Sequence, residues 1–286
     1  GRTLIVSTAD EVQRRIHSGD LCTRNLGIVA IDEADAILCG PSPYEPTIHK
    51  EGLALLNALE QSSSMDLQYL LTTAVLTDAH ERALLEYFNR HKQLAFVRQR
   101  STGGAKAGSL VPSLKQRFHY VQSHKKDTQL IKILSKAAGD EWLSKGAVLV
   151  FCREVADANR LAALIANELP NSWRSPLALH DELSDSDRDA ALNALRSQTC
   201  QLLVCTGVAI RGLDLHELRH VVLYDVPTDV PGYVHAAGRT ARRGRDGFVT
   251  CLVESHAQAS QFRQLHALQQ APRLTFAAGR EGAGHA

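Results

Sequence analysis

The stretch Gly27-Ile28-Val29-Ala30-Ile31-Asp32-Glu33-Ala34-Asp35 is an apolar run that ends in three carboxylates within four residues. Ile28–Ile31 reads as a strand buried on both faces, as in a parallel sheet covered by helices. Ligands of such sheets sit beyond the carboxyl ends of the strands, where Asp32 and Glu33 would emerge. Carboxylates placed there suit a hydrated Mg²⁺, which keeps several waters and is held through one or two carboxylates plus substrate phosphates. The chemistry this points to is NTP hydrolysis. The same acids would also favour the dipole of a following helix and nothing more.

Two further polar clusters stand late in the chain. Thr206-Gly207-Val208-Ala209-Ile210-Arg211-Gly212-Leu213-Asp214 follows an apolar strand, so its polar groups also project from a strand's carboxyl end. From Tyr233 to Arg245 the chain is basic, with four arginines within the seven residues 239–245. On a helix, Arg239 and Arg242 would share a face. Two guanidinium groups aimed at one place suit phosphate oxygens, which they bind by forked hydrogen bonds. A solvated basic helix end is the other reading of this run.

The elements that must position these groups alternate between strand and helix. Thr3–Ser7 predicts a strand, and Thr8-Ala9-Asp10 a helix start before Glu11–His17. With the strand at Ile28 these form a right-handed crossover unit. Helix is expected over Gly52–Gln61 and strand over Gln68–Val75. A helix capped at Thr77-Asp78 should run to about Phe88, and a short strand should follow over Leu94–Val97. Residues 99–113, rich in small residues and glycine, read as a flexible linker. Beyond it the alternation resumes: strands over Leu114–Gln122, Ala147–Cys152, Leu177–His180, Leu202–Cys205, His220–Tyr224 and Gly247–Val253. Helices are expected over Lys125–Ala138, Asp157–Leu169, Ser184–Ser197 and His256–Gln270. The expected organisation is an α/β protein with a first domain over 1–98, the linker, a second domain over 114–270 and a disordered tail over 271–286.

With 44% hydrophobic and 22% charged residues, the composition is that of ordinary soluble globular protein. No apolar run approaches bilayer-spanning length and no secretory signal opens the chain, so a soluble intracellular protein with no membrane partner is expected. A net charge of +1 makes no global case for nucleic acid, and any such case rests on local patches. Lys125, Lys126, Arg153 and Arg188 read as scattered surface charge. The six cysteines lack metal-like spacing and read as core packing in a reducing compartment.

The order of these segments resembles the DEAD-box family of superfamily 2 RNA helicases. Asp32-Glu33-Ala34-Asp35 is similar to its namesake motif, Val148-Leu149-Val150-Phe151-Cys152 to its fourth, Thr206–Asp214 to its fifth and His235–Arg242 to its sixth. The resemblance implies two RecA-like parallel-sheet domains joined by a linker, with ATP and Mg²⁺ as cofactors and RNA as partner, within a ribonucleoprotein assembly. It implies that Asp32 holds Mg²⁺ through water, that Glu33 orients the attacking water, and that Arg239 and Arg242 are arginine fingers on the γ-phosphate. Asp214, Asp35 and His235 would serve the nucleotide, Thr8 and Thr206 the RNA, and Thr73 and Arg211 the coupling between them.

The departures from the pattern define what is at stake. Thr73-Ala74-Val75 stands where the family has Ser-Ala-Thr, so one of two coupling hydroxyls is absent. Gly207 replaces an Asp, and Ala236 an Arg. Thr8-Ala9-Asp10-Glu11 occupies the place of Thr-Pro-Gly-Arg, putting two acids where an RNA-facing cation stands. His180-Asp181-Glu182 replaces His-Gly-Asp. No GxxxxGK[ST] phosphate loop occurs in the sequence. The resemblance implies that this loop and an adenine-reading segment precede Thr3, so the first domain is expected to be only partly present and the chain inactive alone. Two functions fit: an ATP-dependent RNA helicase that remodels duplexes or ribonucleoproteins, or a degenerate helicase-like scaffold or assembly factor.

Overall fold

A computed structural model describes residues 3–39, 48–73, 78–89, 111, 113–207, 218–227, 230–242, 244–254 and 275–277. The chain divides into two compact units, Gly1–Gly108 and Ser109–Ala286.

In the first unit, α1 (Ala9–Ser18) precedes β1 (Ile28–Ile31), and α2 (Lys50–Ser62) precedes β2 (Gln68–Leu71) and α3 (Asp78–Asn89). β1 and β2 pair in parallel, Ile31 opposite Leu71. Ile31, Ala34, Leu38, Leu56, Leu84 and Phe88 form one core cluster, and Leu55, Leu59 and Leu67 a second under α2. Apolar residues at helical spacing on α2 and α3 thus close over one face of the pair.

The other face departs from the expectation of a strand buried on both sides. Ile28 is 58% exposed and Leu70 50%, because side chains alternate across a strand and the described helices pack only against the face of Val29, Ile31, Tyr69 and Leu71. The strand expected over Thr3–Ser7 does not form either, and Leu4 and Val6 are each 87% exposed. A strand exists only where an edge receives its hydrogen bonds, and among the described residues β1 pairs with β2 alone. The expected crossover into β1 is therefore absent; α1 lies beside α2 instead, where Gln13 Nε2 donates to the carbonyl of Glu51 (3.2 Å). β2 ends at Leu71 rather than Val75, and residues 74–77 lie outside the described set.

The second unit is built on a parallel sheet of β3 (Leu114–Tyr120), β4 (Ala147–Phe151), β5 (Leu177–Leu179), β6 (Leu202–Cys205), β7 (Leu218–Leu223) and β8 (Gly247–Val253), joined at one edge by β9 (Thr275–Ala277). The order is β5-β6-β4-β7-β8-β3-β9. β4 stands near the centre and is buried on both faces, so it reads as a continuous apolar run. Val148 and Val150 pack with Leu130 and Leu134 of α4 (Lys126–Ala138) and with Leu161 and Ile165 of α5 (Val155–Glu168). α6 (Asp185–Arg196) starts at an N-cap, Ser184 Oγ accepting from Asp187 N (3.1 Å), and α7 (Val230–Ala237) follows β7. The expected tail is corrected at Thr275–Ala277, which pair with Arg117–His119 along the open edge of β3. The strand expected over 94–97, the helix over 256–270 and nearly all of the linker lie outside the described residues.

Candidate functional site

In the first unit, Asp32 is the first residue past β1 and is exposed. Its Oδ1 accepts two hydrogen bonds, from the backbone N–H of Glu33 (3.0 Å) and from the Thr72 hydroxyl. Glu33 adopts a left-handed backbone conformation (φ 51°), sparsely populated for a residue with a Cβ, which turns the chain sharply between β1 and the helical turn at Asp35–Cys39. The turn is held across the sheet: Thr72 N donates to Ile31 O and Ala34 N to Thr72 O, both 2.9 Å. Asp35 points inward and is buried, whereas Thr73 is half-buried beside this turn.

Asp32 Oδ2 accepts no hydrogen bond among the described residues. An exposed carboxylate with one oxygen held and the other open fits a hydrated Mg²⁺, a hard cation that takes oxygen ligands and retains water. No group of three or more His, Cys, Asp or Glu side chains able to cage a metal occurs among the described residues.

Thr8 is the N-cap of α1, its Oγ1 accepting from Glu11 N (3.4 Å). Glu11, one of the acids at the position of an expected cation, pairs with Arg15 (2.5 Å) and Arg14 on its own helix. The Arg15 hydrogen bond holds its carboxyl below the usual range. Arg14 and Arg15 escape a motif-based reading because they lie one turn beyond it, at the i+3 and i+4 spacing that brings them onto Glu11.

In the second unit, His180 and Thr206 are the first residues past two adjacent strands: Leu179 pairs with Cys205, and Thr206 N donates to Leu179 O (3.2 Å). Both are buried, at 5% and 4% exposure. His180 Nε2 meets the amide oxygen of Asn159 (3.3 Å), so it carries the ring proton and leaves Nδ1 an open lone pair. That Nδ1 and the Thr206 hydroxyl are buried and have no hydrogen-bond partner among the described residues. Next to them, a Cβ on Gly207 would stand 3.1 Å from Phe151 Cζ, so the glycine lets the ring at the end of β4 lie against the backbone. Arg211 and Asp214 lie outside the described residues.

Arg239 and Arg242 do not share a helical face, because α7 ends at Ala237. Gly238 turns the chain, and Ala241 takes a left-handed conformation (φ 56°). Each arginine still reaches back one turn, Arg239 Nε to His235 O (3.2 Å) and Arg242 Nε to Gly238 O (2.9 Å). Arg239 is buried at 7% exposure, while Arg242 and His235 are half-buried. The segment is anchored by Thr240, whose hydroxyl donates to Leu218 O at the amino end of β7 (2.8 Å).

A charged network that the sequence hides stands at the carboxyl ends of β4, β7 and β8. Lys126, expected as surface charge, is buried, and its Nζ bonds Asp225 Oδ1 (2.6 Å) and Glu254 Oε1 (2.7 Å) above the Tyr224 ring. Asp225 also accepts the backbone N–H of Arg153 (3.0 Å), and Ser123 donates to Glu254. Lys126 and Ser123 hold the Glu254 carboxyl below its ordinary range. Partners separated in sequence by roughly a hundred residues leave no periodic signal, so only the fold discloses them. Burial pushes the Cys39 thiol up to about 11 and Cys152 up to about 12, in keeping with core packing.

Residues 125–244 match the model of the helicase conserved C-terminal domain. S. cerevisiae Dbp5 bound to RNA and ADP BeF3 superposes with a TM-score of 0.76 at 21% identity, over 96% of this chain and 65% of that one. Mss116p bound to ssRNA and AMP-PNP superposes with a TM-score of 0.77 at 17% identity, over 96% of this chain and 53% of that one. Mss116p domain 2 bound to an RNA duplex superposes with a TM-score of 0.51 at 20% identity, over 58% of this chain. The chain therefore spans between about half and two thirds of the length of these Dbp5 and Mss116p structures, and at these identities the likeness establishes the fold. Residues 125–244 thus carry a helicase conserved C-terminal domain, and the chain has the fold of the Dbp5 and Mss116p structures.

Proposed function

We infer that this protein is an RNA-dependent ATPase that couples nucleotide hydrolysis to local remodelling of RNA duplexes or ribonucleoproteins inside the cell. The observation that carries the reading is the pair His180 Nδ1 and Thr206 Oγ1, buried at the ends of adjacent strands with no hydrogen-bond partner among the described residues. Burying a hydroxyl and an imidazole nitrogen unsatisfied costs about 1–3 kcal/mol each, a cost that a ligand bound there would relieve. RNA offers both halves: a phosphate oxygen accepts from the Thr206 hydroxyl, and a ribose 2′-hydroxyl donates to the His180 lone pair.

The nucleotide half of the reading is supported by Asp32. Asp32 would hold Mg²⁺ through water, and Asp214 and His235 would serve the nucleotide. When bound, the metal neutralises developing phosphate charge. Glu33 would orient the attacking water, and Arg239 and Arg242 would stabilise charge on the γ-phosphate. A scaffold or assembly role is the second reading, favoured by α1: Thr8 is engaged as a cap and Glu11 is closed by Arg14 and Arg15, so this helix offers RNA little.

The experiment is the ATPase rate of the protein as encoded, with and without RNA, for wild type, Glu33→Gln, Arg242→Ala and Thr206→Val. RNA-stimulated turnover that falls on the order of 10³-fold in Arg242→Ala is expected, with Glu33→Gln inactive and Thr206→Val needing more RNA for half-stimulation. A loss under tenfold in Arg242→Ala defeats the finger assignment. RNA binding without any turnover in wild type replaces the enzyme with the scaffold.

A further inference from the structure

We propose that Thr72 is a positioning residue for Asp32, fixing which carboxylate oxygen is offered to a hydrated cation and tying that carboxylate to the segment after β2. The inference deepens the nucleotide-site reading above and rests on it. Thr72 lies outside the Thr73-Ala74-Val75 motif, and its side chain is the one described hydroxyl that meets Asp32.

Asp32 and Thr72 directly follow the paired residues Ile31 and Leu71, so the parallel register brings them side by side. Backbone bonds on either side, Thr72 N to Ile31 O and Ala34 N to Thr72 O, both 2.9 Å, fix the distance between the two chain segments. The Thr72 hydroxyl then shares Asp32 Oδ1 with Glu33 N–H. An exposed carboxylate without such a hold rotates about χ2 and presents either oxygen. With two donors on Oδ1, Oδ2 alone is directed outward, which is the role outer partners play for carboxylates that serve a metal.

The position of Thr72 gives the contact a second consequence. It is followed at once by Thr73, so a displacement of these two residues reaches the Asp32 carboxylate through the Thr72 hydroxyl, beside the backbone bonds to Ile31 and Ala34. Position 75 carries Val, without a hydroxyl, and Thr72 supplies a hydroxyl from the opposite end of the segment.

The test is Mn²⁺ binding in the presence of AMP-PNP, read by electron paramagnetic resonance on the protein as encoded. Wild type is compared with Thr72→Val, Thr72→Ser and Asp32→Asn. Thr72→Val is expected to weaken Mn²⁺ binding about tenfold, the low end for an outer partner of a metal carboxylate. Thr72→Ser should stay within about twofold and Asp32→Asn should lose more than Thr72→Val. Should Thr72→Val not fold, Thr72→Ala carries the same expectation. If Asp32→Asn weakens binding while Thr72→Val does not, the Thr72 role is overturned and the nucleotide reading stands. Equal losses in Thr72→Ser and Thr72→Val overturn it too, since the hydroxyl would not be the cause. Mn²⁺ binding indifferent to Asp32→Asn overturns both.

Discussion

Lys126→Met removes the cation from the buried network of the second unit while keeping an aliphatic stem against Tyr224. In the wild type, the Lys126 side chain is 7% exposed, that of Asp225 19% and that of Glu254 33%. Without the ammonium, two carboxylates stand close together, with the Arg153 N–H on Asp225 and the Ser123 hydroxyl on Glu254 among what is left to offset them. Removing one partner of a fully buried pair costs about 3–5 kcal/mol. Solvent reaches both acids here, so about 2–3 kcal/mol is expected, including the lost cation over the Tyr224 ring at 4.3 Å. Both tryptophans of the chain, Trp142 and Trp173, lie in the second unit, so their emission during urea unfolding reports that unit. Adding Asp225→Asn and Glu254→Gln to Lys126→Met should recover about 1–2 kcal/mol, because the uncompensated charges go with the cation. The Glu254 carboxyl is depressed in the folded chain, so its share of the stability is present above about pH 4.5 and is lost as pH falls through its folded value. The gap between wild type and Lys126→Met should narrow accordingly in acid. A penalty under about 0.5 kcal/mol, or a triple variant no better than the single, would refute the reasoning.

His220 gives a second pH dependence. Full burial and the nearby Arg117 push its imidazole down to about 4. Below about pH 6.5 the unfolded chain takes up a proton that the folded chain refuses until about pH 4, so stability falls with pH across that window, by up to about 3 kcal/mol. Tryptophan-detected unfolding of the double variant His220→Leu/Thr250→Val, which removes both ends of the 2.8 Å hydrogen bond, should show a flatter profile; an unchanged slope assigns the effect elsewhere. At Gly247, an added Cβ would lie 2.5 Å from both Ala241 N and Thr240 Oγ1. Gly247→Ala should therefore displace the arginine-bearing segment, destabilise the unit by about 2 kcal/mol and lower any Arg242-dependent ATPase rate. An unperturbed melt together with an unperturbed rate would count against this packing.

The strands of the second unit were legible because they are buried on both faces: Val148–Val150, Leu202–Val204 and Val221–Leu223 are apolar without interruption, as a central parallel strand requires. The same logic misreads Ile28–Ile31, since a short apolar run looks alike whether helices cover one face or two. The Arg239/Arg242 pair was legible as a basic cluster but not as a geometry, because a helical face presupposes that the helix continues past Gly238.

Residue type and order alone determined the α/β alternation, the carboxylates emerging after β1, the Ser184 cap and the resemblance carried by the motifs, since each is a local pattern of burial or backbone preference. Tertiary structure alone decided which polar groups meet. Thr72 reaches Asp32 because two strands pair in register, Lys126 is closed by acids just past β7 and β8, and His180 Nδ1 and Thr206 Oγ1 are left without a hydrogen-bond partner among the described residues. Such contacts join residues tens to more than a hundred positions apart, and they are set by the sheet's strand order, which no local pattern encodes.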